Sequence, residues 1–295
     1  MITIIKNICS IVEFLDNIFY IKSRFNKNRY INQYVFRGLK KESYELLSSL
    51  KRNCGNESHL LENRNDLHFF EKRLSINFEK YAQIIEPKVK NSYWERLIIA
   101  QHHGLPTRLL DWSYSPLIAL HFATDHVDSD EKIEEDVAVW MISVEDIHAL
   151  LPDKYIDMLK KYQSKAFTCD MLDELKIDNE QYDRDMGNDG FVFVEPPSID
   201  MRIVNQGSLL SVIPNAIDPL ERLIDGSEKI CYKFIISKDK LESVRDELDI
   251  LNVNERVLFP DLDGIAKLLR RRYYKGKYTQ CQRKTLGEWG KTIGL

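Results

Sequence analysis

The chain has 295 residues, 43% hydrophobic and 30% charged, which gives it enough length for one large or two small domains and the profile of a globular rather than a disordered protein. Its formal charge of -4 is spread over mixed-sign segments and gives no bulk attraction for nucleic acid or an anionic membrane. The five cysteines (Cys9, Cys54, Cys169, Cys231 and Cys281) share no close spacing, which excludes a CxxC zinc site, and their odd number argues against a disulfide framework.

Met1 to Lys6 opens like a signal peptide, but Glu13 and Asp16 interrupt it and no small-residue cleavage site follows. No run approaches the roughly 20 apolar residues of a membrane span, so a cytoplasmic protein with reduced thiols and no membrane partner is expected. Ile8, Ile11, Val12, Leu15 and Ile18 predict an amphipathic helix over 8–23. Tyr34 to Gly38 predicts a strand, and Tyr44 to Leu50 a brief apolar segment of about one helical turn. A long helix is expected from Leu67 to about Ile85, stopped by Pro87. A second helix covers Ser92 to His103, with Ser92 and Glu95 as a capping box and Gly104 just past its last turn.

Leu105 to Leu110 predicts a short strand, and Ser115-Pro116 a helix start running to Ala123. Val137 to Ile142 predicts a buried strand. Residues 150–190 are polar and irregular and are expected to lie over the surface as an insertion. Phe191 to Val194, Leu209 to Ile213 and Cys231 to Ile236 predict further strands; Lys238 to Leu251 and Leu262 to Tyr273 predict helices. Helices and strands mix without strict alternation, so the expected class is α+β, with small mixed or antiparallel sheets flanked by helices. One domain over 1–295 is expected, with an N-terminal helix (1–30), a core (30–270) and a basic tail (271–295).

The polar cluster from Gln101 to Ser113 is the candidate site, because polar side chains next to apolar elements must be bonded or used. Arg37 at a strand end offers a planar fork for an anion, and Gly38 would let a ligand approach the backbone; the alternative is an internal pair between Arg37 and Asp111 or Glu195. Arg108 and Asp111 are expected to bond to each other. His102, His103 and Asp111 could hold a divalent metal for phosphodiester hydrolysis, but adjacent histidines point about 100° apart on a helix, and no metal is expected. Arg270-Arg271-Arg272 with Tyr273, Tyr274, Lys275 and Lys277 could touch a nucleic-acid backbone or form the solvated last turn of a helix.

Four blocks resemble the FRG-domain family: Phe36-Arg37-Gly38, Gln101 to Ser113 continued by Ser115 to Ala123, Arg202 to Ser208, and Leu258 to Ala266. The resemblance covers nearly the whole chain and implies a single FRG-type domain in a bacterial or phage setting, with a role in conflict between the two. A second likeness is to arginine-class ADP-ribosyltransferases. These carry Tyr-Arg-Gly on a strand, a Ser-Thr-Ser-like strand leading into a helix, and a Glu-x-Glu segment before an apolar strand. Tyr34 to Gly38, Ser113 to Ala123 and Gln206 to Ile213 resemble these in order.

That second likeness implies NAD as cofactor, with Arg37 on its diphosphate, Ser113 orienting the nicotinamide ribose and Tyr114 stacking on a flat ring. Gln206 would then stand where a catalytic glutamate is expected; it can bond a ribose hydroxyl but brings no charge. Gly38, His102, His103, Arg108, Asp111, Tyr114 and Glu195 complete the expected ligand-binding set, and Asp200 or Glu195 could supply the missing anion. The leading expectation is a cleft for a nucleotide-like anion, lined jointly by Arg37, Ser113 and Gln206, with a protein or nucleic-acid target as a further partner. The alternatives are a non-catalytic module recognising a phage or host component and a metal-dependent nuclease.

Overall fold

The computed structural model describes residues 2–25, 34–54, 64–126, 133–187, 190–214, 219–224 and 231–273. In chain order the elements are β1 (Thr3–Ile8), α1 (Ile11–Phe25), β2 (Tyr34–Leu39), α2 (Ser49–Cys54), α3 (Arg64–Ala82), α4 (Tyr93–His102), β3 (Leu109–Ser113), α5 (Pro116–Thr124) and β4 (Val137–Ser143). There follow α6 (Val144–His148), α7 (Asp153–Tyr162), α8 (Cys169–Glu174), α9 (Asn179–Met186), β5 (Val192–Val194), α10 (Met201–Asn205), β6 (Ser208–Val212) and α11 (Glu221–Ile224). The last elements are β7 (Cys231–Ile236), α12 (Leu241–Ile250), α13 (Glu255–Leu258) and α14 (Leu262–Tyr273).

The strands form one seven-stranded sheet in the order β1-β7-β4-β2-β3-β6-β5, with β1 parallel to β7 and every other neighbour antiparallel. This is an α+β architecture. β4 is buried along its whole length, so alternate residues feed two cores. Val137, Val139 and Met141 pack with Phe14 of α1, Ala119 and Ala123 of α5 and Val244 of α12. Ala138, Trp140 and Ile142 face the other way, with Val35, Leu110, Trp112 and Phe193. A third cluster joins α4 (Trp94, Leu97, Ile98) to Tyr155, Leu172 and Tyr182 over the outer face of β5 and β6.

α4 follows its sequence signals. The Ser92 hydroxyl accepts the Glu95 N–H at 3.0 Å, and Gly104 beyond its end sits at φ +86. Pro116 opens α5 from the N-cap position of Ser115, but the Ser115 hydroxyl makes no capping bond there. The N-terminal residues form an edge strand, β1, which was not expected. Four of its six side chains are exposed, so pairing to β7, not burial, holds it.

Residues 150–190 are not a surface insertion. Their helices α7 to α9 bury Tyr155, Phe167, Leu172 and Tyr182 in the third cluster. The buried hydroxyl of Tyr182 donates to the Val212 carbonyl at 2.8 Å and accepts the Val192 N–H at 3.1 Å, tying α9 to β5 and β6. Arg271 is likewise no solvated cation. It is buried, with Nε 2.8 Å from Glu255 Oε1 and Nη2 2.6 Å from Asp249 Oδ1. Tyr274, Lys275, Lys277 and the rest of the basic tail, and Cys281, lie outside the described residues, as does the Cys54 side chain. Cys9, Cys169 and Cys231 are free thiols, and among the described residues no helix is long and apolar enough to cross a membrane.

Two buried histidines make stability pH-dependent. His148 Nδ1 lies 2.8 Å from the Lys165 carbonyl, and Nε2 accepts the Phe193 N–H at 2.9 Å, which requires a neutral ring with its proton on Nδ1. Burial pushes its pKa down from 6.5 to about 4; burial and Arg245 push His121 to about 3. A histidine whose folded pKa lies below its unfolded one contributes stability above 6.5 and loses it as the pH falls toward the folded value. Denaturant melts should therefore lose about 1.4 kcal/mol per pH unit for each histidine between pH ~6.5 and ~4. Glu255, held at about 2 by Arg271 and Arg245 against the opposing effect of burial, acts in the same sense at lower pH. His148→Gln should flatten the His148 share; an unchanged slope would refute that assignment.

Candidate functional site

The sheet is nearly interrupted at its centre. β2 and β4 pair along six residues, and β3 and β6 along five, but β2 and β3 share the single pair Phe36 with Ser113. Past that pair the strands no longer form a ladder, and the Arg37 side chain spans the gap by donating from Nη1 to the Asp111 carbonyl. A cavity of about 360 Å³ opens here, and its walls include Arg37, Asp111, Ser113, Phe122, Arg202 and Gln206. Two smaller spaces adjoin it, one of about 170 Å³ beside Ser49 and Arg52 and one of about 50 Å³ beside His102 and Ile203. Gln101 and Asp111 line all three.

Arg37, Ser113 and Gln206 thus share one cavity, although they lie far apart in sequence. Arg37 is largely buried, and its Nε has no hydrogen-bond partner among the described residues. Burial pushes its pKa down to about 10, against the opposing pull of Asp111 and with the help of the nearby Arg52 charge. The nearest approach of its Nη1 to the Asp111 carboxylate is 3.9 Å, at Oδ2. The internal pair with Asp111 therefore exists but is long, and Glu195 takes no part in it.

Ser113 and Gln206 hold each other. The Ser113 hydroxyl donates to the Gln206 carbonyl at 2.7 Å and accepts the Ser115 N–H at 3.0 Å. The Gln206 side-chain amide donates to the Leu258 carbonyl at 3.1 Å, and Asn205 Nδ2 reaches the Val257 carbonyl at 2.7 Å. The segment after α13 thereby backs two lining residues: Phe259 meets Phe122 edge-on at 6.2 Å and carries the Arg202 guanidinium 4.8 Å above its ring.

Several expected ligand-binding residues have other work. Gly38 lines the cavity, but its missing side chain serves packing: a Cβ there would lie 1.9 Å from the Ala119 carbonyl oxygen and 2.6 Å from the Ala123 nitrogen of α5. Arg108 does not bond Asp111. It precedes β3 and is sealed between α3 and α9, with Nε 2.7 Å from Glu71 Oε1, Nη2 2.6 Å from Glu71 Oε2 and Nη1 2.6 Å from Asp183 Oδ1. Arg108 lines none of the three spaces, whereas Asp111 lines all of them.

His102 lines the smallest space, with Nε2 2.5 Å from Asp200 Oδ2, while His103 is exposed and lines none of the three. Tyr114 and Glu195 bond to each other at 2.9 Å outside these walls. Burial and the Glu195 carboxylate both push the Tyr114 pKa up. Asp200 caps α10 through the Ile203 N–H, so neither Asp200 nor Glu195 stands in for a carboxylate at position 206. Among the described residues no group of three or more His, Cys, Asp or Glu is placed to hold a metal ion.

The site also holds groups to which sequence reasoning gave no role of their own. Arg52 and Lys40 line the main cavity with Arg37 and Arg202; Lys40 pairs with Asp125 at 2.8 Å, whereas Arg52 and Arg202 make no ion pair among the described residues. Gln101 donates to Asp111 Oδ1 at 2.7 Å and accepts from the Thr107 hydroxyl. Only the fold brings these residues together; the basic spacing of Arg52 and Arg202 carries no signal of its own.

No curated protein and no solved structure matches the chain. A family model does match, that of the FRG domain, over residues 32–132. The matched stretch runs from the approach to β2 past the end of α5 and supplies Arg37, Gln101, Asp111, Ser113 and Phe122 to the cavity, while Arg202 and Gln206 come from beyond it. The chain therefore contains an FRG domain, over residues 32–132.

Proposed function

We propose that the cleft between β2 and β3 binds a nucleotide-like anion, with its phosphate against Arg37. The observation that carries this reading is the Arg37 guanidinium: it is buried, has an unbonded Nε, and faces a cavity shared with Arg52 and Arg202. The Arg37 side chain keeps 12% exposure, and an anion in the cavity would meet the accessible part of the guanidinium in a charge-assisted bond. Phe122 and Tyr44 add apolar surface suited to a flat ring.

NAD is the specific ligand we propose, from the likeness of these strands to arginine-class ADP-ribosyltransferases. Binding is better supported than transfer. Cleavage of an N-glycosidic bond builds positive charge that a carboxylate stabilises, and position 206 offers an amide already donated to Leu258. The setting we propose, from the family resemblance alone, is conflict between bacteria and phages.

Thermal shift with ADP and with NAD tests the reading. At about 100 times the dissociation constant a ligand adds about 2.7 kcal/mol, a shift of several degrees. Arg37→Ala should keep the fold and weaken binding about tenfold to a hundredfold. Absence of any shift in the wild-type protein with either nucleotide would remove the proposal. Assay of nicotinamide release from NAD separates binding from catalysis.

A further inference from the structure

Asp111 occupies an unusual place for a carboxylate. It lies where the three spaces meet, beside the guanidinium that faces the main cavity, and its side chain is 68% exposed to the cleft. An ionised carboxylate accepts hydrogen bonds at about four positions and donates none. Gln101 Nε2 fills one of them, at Oδ1, and is itself fixed from behind by the Thr107 hydroxyl. Oδ2 stands 3.9 Å from Arg37 Nη1, too far for a hydrogen bond, while that Nη1 is spent on the Asp111 backbone carbonyl. The carboxylate is thus held in position with open acceptor sites, and the guanidinium is held next to it at the cavity wall.

For a bare phosphate this juxtaposition is a liability, since the carboxylate repels what Arg37 attracts. A ligand that carries hydroxyl donors next to its phosphate turns the same carboxylate into a partner. The vicinal hydroxyls of a ribose are such donors, and a carboxylate acceptor is a recurrent way to hold them. We propose that Asp111 accepts the sugar hydroxyls of the bound nucleotide, so that the cleft selects a ribonucleotide over both inorganic diphosphate and a nucleotide lacking those hydroxyls. The inference rests on the nucleotide reading above and adds to it a residue that sets specificity.

Calorimetric titration of the full chain with ADP, 2′,3′-dideoxy-ADP and inorganic pyrophosphate tests it, using wild type, Asp111→Asn and Asp111→Ala. Melting curves should confirm that both variants fold. Wild type should prefer ADP to the dideoxy analogue by about tenfold or more, the usual effect of one or two hydrogen bonds to a charged group. Both variants should bind ADP more weakly, lose that preference, and bind pyrophosphate as well as wild type or better. Equal wild-type affinity for ADP and its dideoxy analogue would overturn the proposal, as would binding of pyrophosphate but not ADP. Tighter binding of ADP and pyrophosphate alike by Asp111→Asn would make the carboxylate a mere competitor for Arg37 and also overturn it. Failure of wild type to bind any of the three would instead remove the nucleotide reading, and this inference with it.

Discussion

Gly38→Ala should lower stability by about 3 kcal/mol or more and the melting temperature by on the order of 10 °C. The added methyl would meet the Ala119 carbonyl oxygen at 1.9 Å and the Ala123 nitrogen at 2.6 Å, both backbone atoms of α5. No rotamer change relieves such a clash; β2 and α5 must separate, and both are anchored in the same core through Phe36, Ala119, Leu120 and Ala123. Gly104→Ala is the informative control. Its Cβ would meet nothing within 4 Å, so only the strain of φ +86 remains, about 1 kcal/mol. The comparison also separates two roles for the glycine after Arg37. If Gly38→Ala melted like wild type but lost ligand binding, the glycine would serve approach of a ligand. Loss of fold assigns it to the contact between strand and helix that sets the floor of the cleft.

The elements legible in the sequence are those with uniform burial or explicit punctuation. Val137 to Ile142 is an apolar run buried along its whole length inside the sheet, and the Ser92–Glu95 cap marks the start of α4 in both the sequence and the structure. The strand expected over 105–110 lies instead at Leu109–Ser113. Leu110 and Trp112 of β3 are buried while Asp111 is exposed in the cleft between them. The polar residue just past the expected strand is the one that lines the site. The expected pair of Arg108 with Asp111 failed because Glu71 and Asp183, distant in sequence, take the Arg108 guanidinium before β3 begins. Residues 150–190 read as surface because each short helix there contributes few apolar side chains. Their burial comes from tyrosines such as Tyr155 and Tyr182, whose hydroxyls find Asp185 and Val212. The Arg37, Ser113 and Gln206 segments were legible as motifs, the last of them opening at Arg202, whereas Arg52 joins them only through the path of the chain between distant strands.

Arg108→Ala should cost about 3–5 kcal/mol in stability, measured by denaturant unfolding. Its guanidinium is 0% exposed and lies between two carboxylates that are themselves buried, Glu71 at 2% and Asp183 at 6%. Burial opposes the charge on Arg108, yet Glu71 and Asp183 hold its pKa well above the ordinary arginine value. Asn179 Nδ2 adds a bond to Glu71 Oε2 at 3.0 Å, and His68 Nε2 lies 3.0 Å from Asp183 Oδ2. The alanine variant removes the one cation that both carboxylates share, and with it the link between α3, the start of β3 and α9. Arg108→Lys keeps the charge, but an ammonium cannot fork to two planar partners, so it should recover only part of the loss. Replacing Arg108, Glu71 and Asp183 together by apolar residues of similar volume should come closer to wild type than Arg108→Ala does, because no unpaired charge is left buried. The lysine variant also carries a functional readout. Arg108 lines none of the three spaces of the cleft, so Arg108→Lys should bind ADP as wild type does where Arg37→Ala does not. Stability of Arg108→Ala within 1 kcal/mol of wild type, or selective loss of ADP binding in folded Arg108→Lys, would return this arginine to the binding site.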